Sequence, residues 1–262
     1  MGNFTGALIL TLIAGLSTGI GGLFVLAKKE INGKFLSLAL GFSGGVMIYI
    51  SFMEIMRESE SYFASKFSGN LAAVFAALSF FGGILLMWII DRLIPDGTNP
   101  HEFSFVNKDT DHNHRLLKSG ILSAVAIAIH NFPEGMATFT MSSSDLALGL
   151  PLAIAIAVHN IPEGIVVAVT IFKSTGKRMK AFMWSLISGL SEPVGGLIGY
   201  LILSRFITDS LLGVILGMVA GIMIYISLDE LLPLAHEYGE EHTSICGVVI
   251  GMIIVAATIL IF

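Results

Sequence analysis

The sequence has very little of what soluble, disulfide-linked or nucleic-acid-binding proteins need. Only 13% of its 262 residues are charged, against about 25% in a typical soluble domain. Its one cysteine, Cys246, excludes an internal disulfide and any cysteine-rich zinc site. The formal net charge of −5 gives no basis for a nucleic-acid partner. The N-terminus lacks the basic region and the small-residue cleavage site of a signal peptide.

Long apolar runs are what the sequence has in abundance, since 55% of its residues are hydrophobic and its mean hydropathy is +0.86. Runs of about 18 or more apolar residues are typical of transmembrane helices, and a soluble all-α protein needs neither such length nor so many. We predict an all-α polytopic membrane protein, one transmembrane domain over residues 1–262 in contact with the lipid bilayer. Its eight spans are predicted at residues 4–27, 35–56, 71–90, 119–141, 147–172, 181–204, 211–232 and 244–262.

Basic residues predict the orientation of these spans. The connections after spans one, three and five hold 11 of the 14 Lys and Arg residues, so these connections are expected in the cytoplasm and both termini outside. Acidic residues are assigned to the outer side, as a surface that concentrates cations or as an ordinary solvated rim. They are Glu58, Glu60, Asp145, Asp209, Glu237, Glu240 and Glu241.

Two internal repeats predict an inverted topology. Residues 41–56, "GFSGGVMIYISFMEIM", resemble residues 217–232, "GMVAGIMIYISLDELL", and residues 15–23, "GLSTGIGGL", resemble residues 189–197, "GLSEPVGGL". Each pair of similar spans is five spans apart, and an odd separation reverses the direction of the chain. The predicted arrangement is therefore 3+2+3, with spans four and five as a central pair. Inverted repeats of this kind are typical of secondary transporters.

Polar residues interrupt the two central spans in the same way. Residues 126–135 read "AIAIHNFPEG" and residues 155–164 read "AIAVHNIPEG". Because helical residues three and four apart share a face, each stretch presents an imidazole, an amide and a carboxylate together, and span six adds a third carboxylate. The candidate metal-ligating residues are His130, Asn131, Glu134, His159, Asn160, Glu163 and Glu192. Pro133, Pro162 and Pro193 are expected to break the helices beside them and free backbone carbonyls.

Three buried acids need compensation. A central acidic residue costs about 2.5–3.5 kcal/mol to insert, and no Lys or Arg lies near these positions inside spans four, five or six. Divalent cations would compensate, and mixed imidazole and carboxylate donors favour Zn²⁺, Fe²⁺, Mn²⁺, Co²⁺ or Cd²⁺. The alternatives are interhelical hydrogen bonding without function and a proton relay without metal. Metal and protons are expected to compete for these groups.

At the motifs HNFPEG (130–135), HNIPEG (159–164) and SEPVGG (191–196) the chain resembles the ZIP family of divalent metal transporters, in particular its bacterial branch. The resemblance implies uptake of zinc, and also of iron, manganese, cobalt and cadmium, across the bacterial inner membrane into the cytoplasm. The metal is then a transported substrate, no prosthetic group is expected, and two copies are expected to pair as a homodimer.

The resemblance also implies a binuclear site in which Glu134 and Glu163 bridge two metal positions. It assigns His130 and His159 to the first position, and Asn131, Asn160 and Glu192 to the second. Spans one, four, five and six resemble a moving unit, and spans two, three, seven and eight its scaffold.

Three further features carry weaker expectations. The cytoplasmic loop at residues 95–118, with His101, His112 and His114, is either a metal-capturing loop or a plain linker. Glu54 and Glu230, with neighbouring Asp229, are expected at the outer ends of spans two and seven. The resemblance implies that they flank the outer entrance, and ordinary interfacial charge is the alternative. A loose outer collecting site is expected at His236, Glu237, Glu240, Glu241 and His242.

Two functions of other classes compete with transport by alternating access. A membrane di-metal enzyme would also use paired helical carboxylates and histidines, but the sequence lacks Glu-x-x-His and His-Glu-x-x-His. A metal sensor would bind without flux. The inverted repeats favour a transporter, which is not an enzyme.

Overall fold

Long helices account for nearly all of the described chain. The computed structural model describes residues 3–27, 32–93, 112–203, 208–239 and 241–261, and within these ranges it has no strand. The prediction of an all-α protein with eight long helical segments is confirmed. In chain order they are α1 (Phe4–Ala27), α2 (Gly33–Ala64), α3 (Leu71–Leu93), α4 (His112–Ser144), α5 (Leu146–Thr175), α6 (Arg178–Leu203), α7 (Asp209–Tyr238) and α8 (Glu241–Ile261).

Among the described residues, seven helices are found long and apolar enough to cross a membrane: α1 to α3 and α5 to α8. α4 is 33 residues long, carries the first polar motif and packs against α1, α5 and α6. Most of the loop predicted at residues 95–118, including His101, lies outside the described residues, as do the side chains of His112 and His114.

The helices form two bundles. The first bundle consists of α1, α4, α5 and α6, and the second of α2, α3, α7 and α8, with α2 against α8 and α3 against α7. At many helical glycines, an added Cβ would collide with a neighbouring helix. Within the described residues, that neighbour always belongs to the same bundle as the glycine. An apolar cavity of about 190 Å³ lies where α2, α5 and α8 meet, and its lining includes Phe42 and Pro162. The bundles therefore meet through side chains, and helices within each bundle approach through their backbones.

Backbone contacts confirm the inverted repeats. A Cβ at Gly45 of α2 would collide with the carbonyl oxygen of Val248 in α8. A Cβ at its counterpart in the repeated segment, Gly221 of α7, would collide with the carbonyl oxygen of Phe80 in α3. The similarity that the sequence reveals between α2 and α7 therefore extends to α3 and α8, whose sequences show no evident repeat.

Irregular helical geometry occurs at places other than those predicted. α4, α5 and α6 continue as α-helix through Pro133, Pro162 and Pro193, so the chain does not leave the helix at these residues. π-helical turns occur instead in α2 (Ser51–Ile55) and in α7 (Ser227–Leu231). These turns lie at corresponding positions of the two repeats, and neither contains a proline, although Pro233 follows the second. Turns of this kind are frequent at functional sites.

Contacts between helix ends define the two ends of the molecule. At one end, the backbone N–H of Asn3 donates to the Ser143 carbonyl at 3.2 Å, and Ser65 Oγ donates to Asp209 Oδ2 at 3.0 Å. At the other, basic end, Arg178 Nη1 donates to the Leu26 carbonyl at 2.9 Å. Since α1 starts at the first end and α8 starts beside Tyr238 at the basic end, the start of α1 and the end of α8 lie at the same end of the described structure.

The same contacts correct the expected outer position of the acidic residues that follow span seven, which include Glu237 and Glu240. Lys173 Nζ, in the basic connection after α5, lies 5.5 Å from the centre of the Tyr238 ring. Glu237 is therefore at the basic end and apart from Asp209, and the prediction of an outer collecting site around it was wrong. Glu240 lies outside the described residues. Because α7 runs opposite to α2, Glu230 also lies towards the basic end, whereas Glu54 lies towards the other.

Candidate metal centre

The predicted site residues lie inside the first bundle, away from solvent. Asn131 and Glu134 belong to α4, His159, Asn160 and Glu163 to α5, and Glu192 to α6. All six side chains are at most 1% exposed. The side chain of His130 lies outside the described residues.

One contact joins the two central motifs directly. His159 Nε2 lies 3.4 Å from Glu134 Oε1, so that an imidazole of α5 faces a carboxylate of α4. Among the side chains that the structure describes, no three of the types His, Cys, Asp and Glu form a group ready to hold a metal ion. The structure thus brings the two motifs together as a nitrogen–oxygen pair.

Glu192 enters the same region from α6. It accepts a hydrogen bond from Asn160 Nδ2 at 2.8 Å, and it is near enough to Glu134 and Glu163 to interact with them electrostatically. Three carboxylates of like charge therefore share one buried region, where the low effective dielectric strengthens their repulsion. A cation placed among them would relieve that repulsion.

The second bundle contributes a residue that the sequence did not single out. Ser43 of α2 donates to Glu163 Oε1 at 3.2 Å, and its Oγ also lies 3.3 Å from the carbonyl oxygen of His159. In the sequence Ser43 stands between glycines and apolar residues, in a pattern typical of helix packing. The only usable signal was the position of "GFSGG" inside the repeated segment 41–56.

A local two-fold relationship organises the first bundle. A Cβ at Gly135 would collide with the carbonyl oxygen of Glu192, and a Cβ at Gly164 would collide with that of Thr18. Gly135 and Gly164 end the two central motifs, and Thr18 and Glu192 occupy the same place in the repeat of α1 and α6. These close approaches require residues without a side chain.

The asparagine side chains of the two motifs follow the same two-fold relationship. Asn160 Nδ2 donates to the carbonyl of Ala14 at 3.1 Å, and Asn131 Nδ2 donates to the carbonyl of Ser188 at 3.5 Å. Ala14 and Ser188 each stand immediately before the segment that is repeated in α1 and α6. Both motifs are therefore held in place by the backbone of the helix that crosses them.

Several buried oxygens of the site have no hydrogen-bond partner among the described residues. They are Asn131 Oδ1, Asn160 Oδ1 and Glu192 Oε1. Buried polar atoms are nearly always paired with protein or with ordered water. Buried amide and carboxylate oxygens in a bundle that also buries an imidazole are donor types that suit a divalent cation and its water.

The fold and this centre define a class, a polytopic helical membrane protein built on inverted repeats, as in secondary transporters. A family model described as "ZIP Zinc transporter" matches residues 95–258. The chain is 51% identical to a protein of Chlorobium luteolum named "Zinc transporter ZupT", over 99% of both chains. Proteins of the same name from Streptococcus mutans, 48% identical over 98% of this chain and 97% of theirs, and Corynebacterium glutamicum, 50% identical over 97% of both, are also similar.

The chain belongs to the ZIP family. The resemblance in the two His-Asn-x-Pro-Glu-Gly motifs is thereby confirmed, as is the prediction of a multi-pass membrane transporter and not an enzyme.

Proposed function

We propose that this protein takes up divalent transition metals, zinc first among them, across the bacterial inner membrane into the cytoplasm. The observation that carries the proposal is the buried convergence of Glu134, His159, Asn160 and Glu192 from three helices. The name of the similar proteins, "Zinc transporter ZupT", favours zinc as the metal. Since the donors are nitrogen and oxygen atoms together, iron, manganese, cobalt and cadmium are proposed as further substrates.

The proposed site is binuclear. His130, Glu134, His159 and Glu163 hold the first metal, and Asn131, Asn160 and Glu192 join the same two glutamates around the second. The 3.4 Å approach of His159 to Glu134 supports the first position. The hydrogen bond between Asn160 and Glu192 supports the second, because it places an amide beside the third carboxylate.

The proposed mechanism is alternating access, in which the first bundle carries the site past the second. Backbone contacts confined within each bundle support movement of each as one body. Ser43 is the contact between the bundles at the site, and it would exchange partners during the movement.

The proposed topology places the basic end, with Lys173 and Arg178, in the cytoplasm and both termini outside. A membrane-impermeant maleimide is then expected to label Ser65→Cys, but not Lys177→Cys, in intact cells carrying Cys246→Ser. The reverse pattern would refute this orientation.

Uptake of radioactive zinc into proteoliposomes tests the function. Glu134→Gln and Glu163→Gln keep the size of each side chain and remove its charge, and each is expected to lower the initial rate by at least about 100-fold. Glu60→Gln, at an exposed acid near the end of α2, is the control and should transport like the parent. Parental uptake by either site variant, in protein that elutes as a monodisperse species, would show that the site is elsewhere.

A further inference from the structure

Thr18 of α1 is a buried residue whose hydroxyl lacks the usual partner. A threonine inside a helix normally donates to the carbonyl three or four residues earlier, as Thr11 does here to Ala7 at 2.7 Å. For Thr18 the carbonyl four residues earlier is that of Ala14. It already accepts from Asn160 Nδ2 and from Ser17 Oγ. Among the described residues Thr18 Oγ1 has no hydrogen-bond partner, and the residue is 0% exposed.

The local two-fold relationship gives Thr18 a defined place. Thr18 is the counterpart of Glu192 in the repeat of α1 and α6, and the two residues pack in the same way against the opposite helix. A Cβ at Gly189 would meet Thr18 Oγ1 at 2.9 Å, and a Cβ at Gly15 would meet the Cβ of Glu192 at 3.3 Å. Thr18 therefore occupies on α1 the position that Glu192 occupies on α6.

The neighbour of Thr18 follows from the same correspondence. Glu192 pairs with Asn160, and the counterpart of Asn160 is Asn131. Asn131 is anchored to the carbonyl of Ser188, next to the Gly189 backbone against which Thr18 Oγ1 lies. Asn131 Oδ1 also lacks a hydrogen-bond partner among the described residues. A hydroxyl and an amide oxygen thus remain available on one side of the centre.

We propose that Thr18 is a specificity-determining residue of the metal centre, contributing an uncharged hydroxyl oxygen to the cation's shell beside Asn131. Glu192 contributes a carboxylate at the equivalent position beside Asn160. This proposal rests on the proposed function and adds to its site a residue from α1. One side of the centre is then anionic and the other neutral, although the backbone around the two sides is alike.

The chemistry of that hydroxyl predicts which metals depend on it. Oxygen donors such as hydroxyl and amide suit Mn²⁺, whereas Cd²⁺ is softer and depends less on them. Removal of the hydroxyl should therefore weaken manganese binding most, zinc binding less and cadmium binding least.

Zinc uptake into proteoliposomes, with manganese or cadmium as competitor, tests the proposal. Thr18→Val preserves shape and removes the hydroxyl, Thr18→Ser keeps the hydroxyl, and Thr11→Val removes a paired buried hydroxyl from the same helix. For Thr18→Val we expect the KM for zinc to rise about tenfold with kcat little changed. Manganese should lose more of its competitive strength than cadmium. Thr18→Ser and Thr11→Val should behave like the parent.

Three results would overturn the proposal: a Thr18→Val protein with the parental KM and metal ranking, equal weakening of all three metals, or a Thr18→Ser protein as impaired as Thr18→Val. The last result would assign the effect to packing of the methyl group. If Thr18→Val is not recovered folded, Thr18→Ala replaces it, with Thr18→Ser again as its control. Absence of zinc uptake by the parent would instead refute the proposed function, so the two failures are distinguishable.

Discussion

His159 Nε2 of α5 lies 3.4 Å from Glu134 Oε1 of α4, and both side chains are almost completely buried. A proton on either group occupies an atom that a metal would otherwise bind, because metal ligands must be deprotonated. In the proposed site, protons therefore compete with the transported ion for this pair.

Uptake is expected to weaken as the external pH falls. Binding of metal releases protons, so more protons in solution oppose binding and the KM for zinc should rise. Initial rates in proteoliposomes, measured from pH 8 down to about pH 5 at fixed membrane potential, check this. His242→Gln, which changes an exposed histidine at the start of α8, should keep the parental pH profile. A KM for zinc that stays constant over this range would contradict a shared site.

Glu192→Gln is expected to abolish binding of a second metal equivalent and to leave the first. A glutamine oxygen still accepts the hydrogen bond from Asn160, which is 2.8 Å long in the parent, but the negative charge is gone. Metal content of detergent-purified protein after equilibrium dialysis against zinc gives the stoichiometry. Two equivalents bound by Glu192→Gln would remove this carboxylate from the second position.

Gly164→Ala is expected to destabilise the first bundle. The new methyl group would collide with the carbonyl of Thr18, and relief of such overpacking costs about 1–3 kcal/mol. Gly82→Ala is the control, since nothing lies within 4 Å of a Cβ added there. It should be neutral or stabilise the protein by up to about 1 kcal/mol. Thermal unfolding in detergent compares them, and equal midpoints would show that α1 and α5 have room to separate.

Ser43→Ala is expected to weaken zinc uptake without unfolding the protein. It removes the hydroxyl that donates to Glu163 at 3.2 Å, and a hydrogen bond to a charged group contributes about 1.5–3 kcal/mol. The KM for zinc should therefore rise about tenfold or more. Ser79→Ala removes a hydroxyl that donates to the Phe75 carbonyl of the same helix at 2.9 Å, and it should leave uptake unchanged. Equal kinetics in both variants would separate Ser43 from the metal centre.

The sequence allows the spans, the repeats and the acidic members of the site to be predicted because each leaves a periodic or repeated signal. Hydropathy alone delimits helices such as α1, which spans Phe4–Ala27 as predicted. Identity between the two motifs places Glu134 and Glu163 at equivalent positions.

Other features could not be predicted, because they depend on contacts between distant parts of the chain. Ser43 joins the site only through the packing of α2 on α5, far along the chain. The π-helical turn at Ser51–Ile55 leaves no proline or glycine signal, and Pro133 suggested irregularity where the helix continues. Glu237 was assigned to the wrong end because its acidity was given more weight than the direction of α7.

The distribution of glycine contacts determines where this molecule can deform at low cost. Within the first bundle, backbone carbonyls pack directly against glycines of the neighbouring helix, as the carbonyl of Glu192 does against Gly135. Helices packed in this way cannot slide past each other without steric clash. The surface between the bundles has apolar side chains and a cavity beside Phe42 and Pro162 instead. The two bundles can therefore shift along that surface by changes of side-chain rotamer. The side chains of the candidate metal centre, inside the first bundle, keep their relative positions during such a shift.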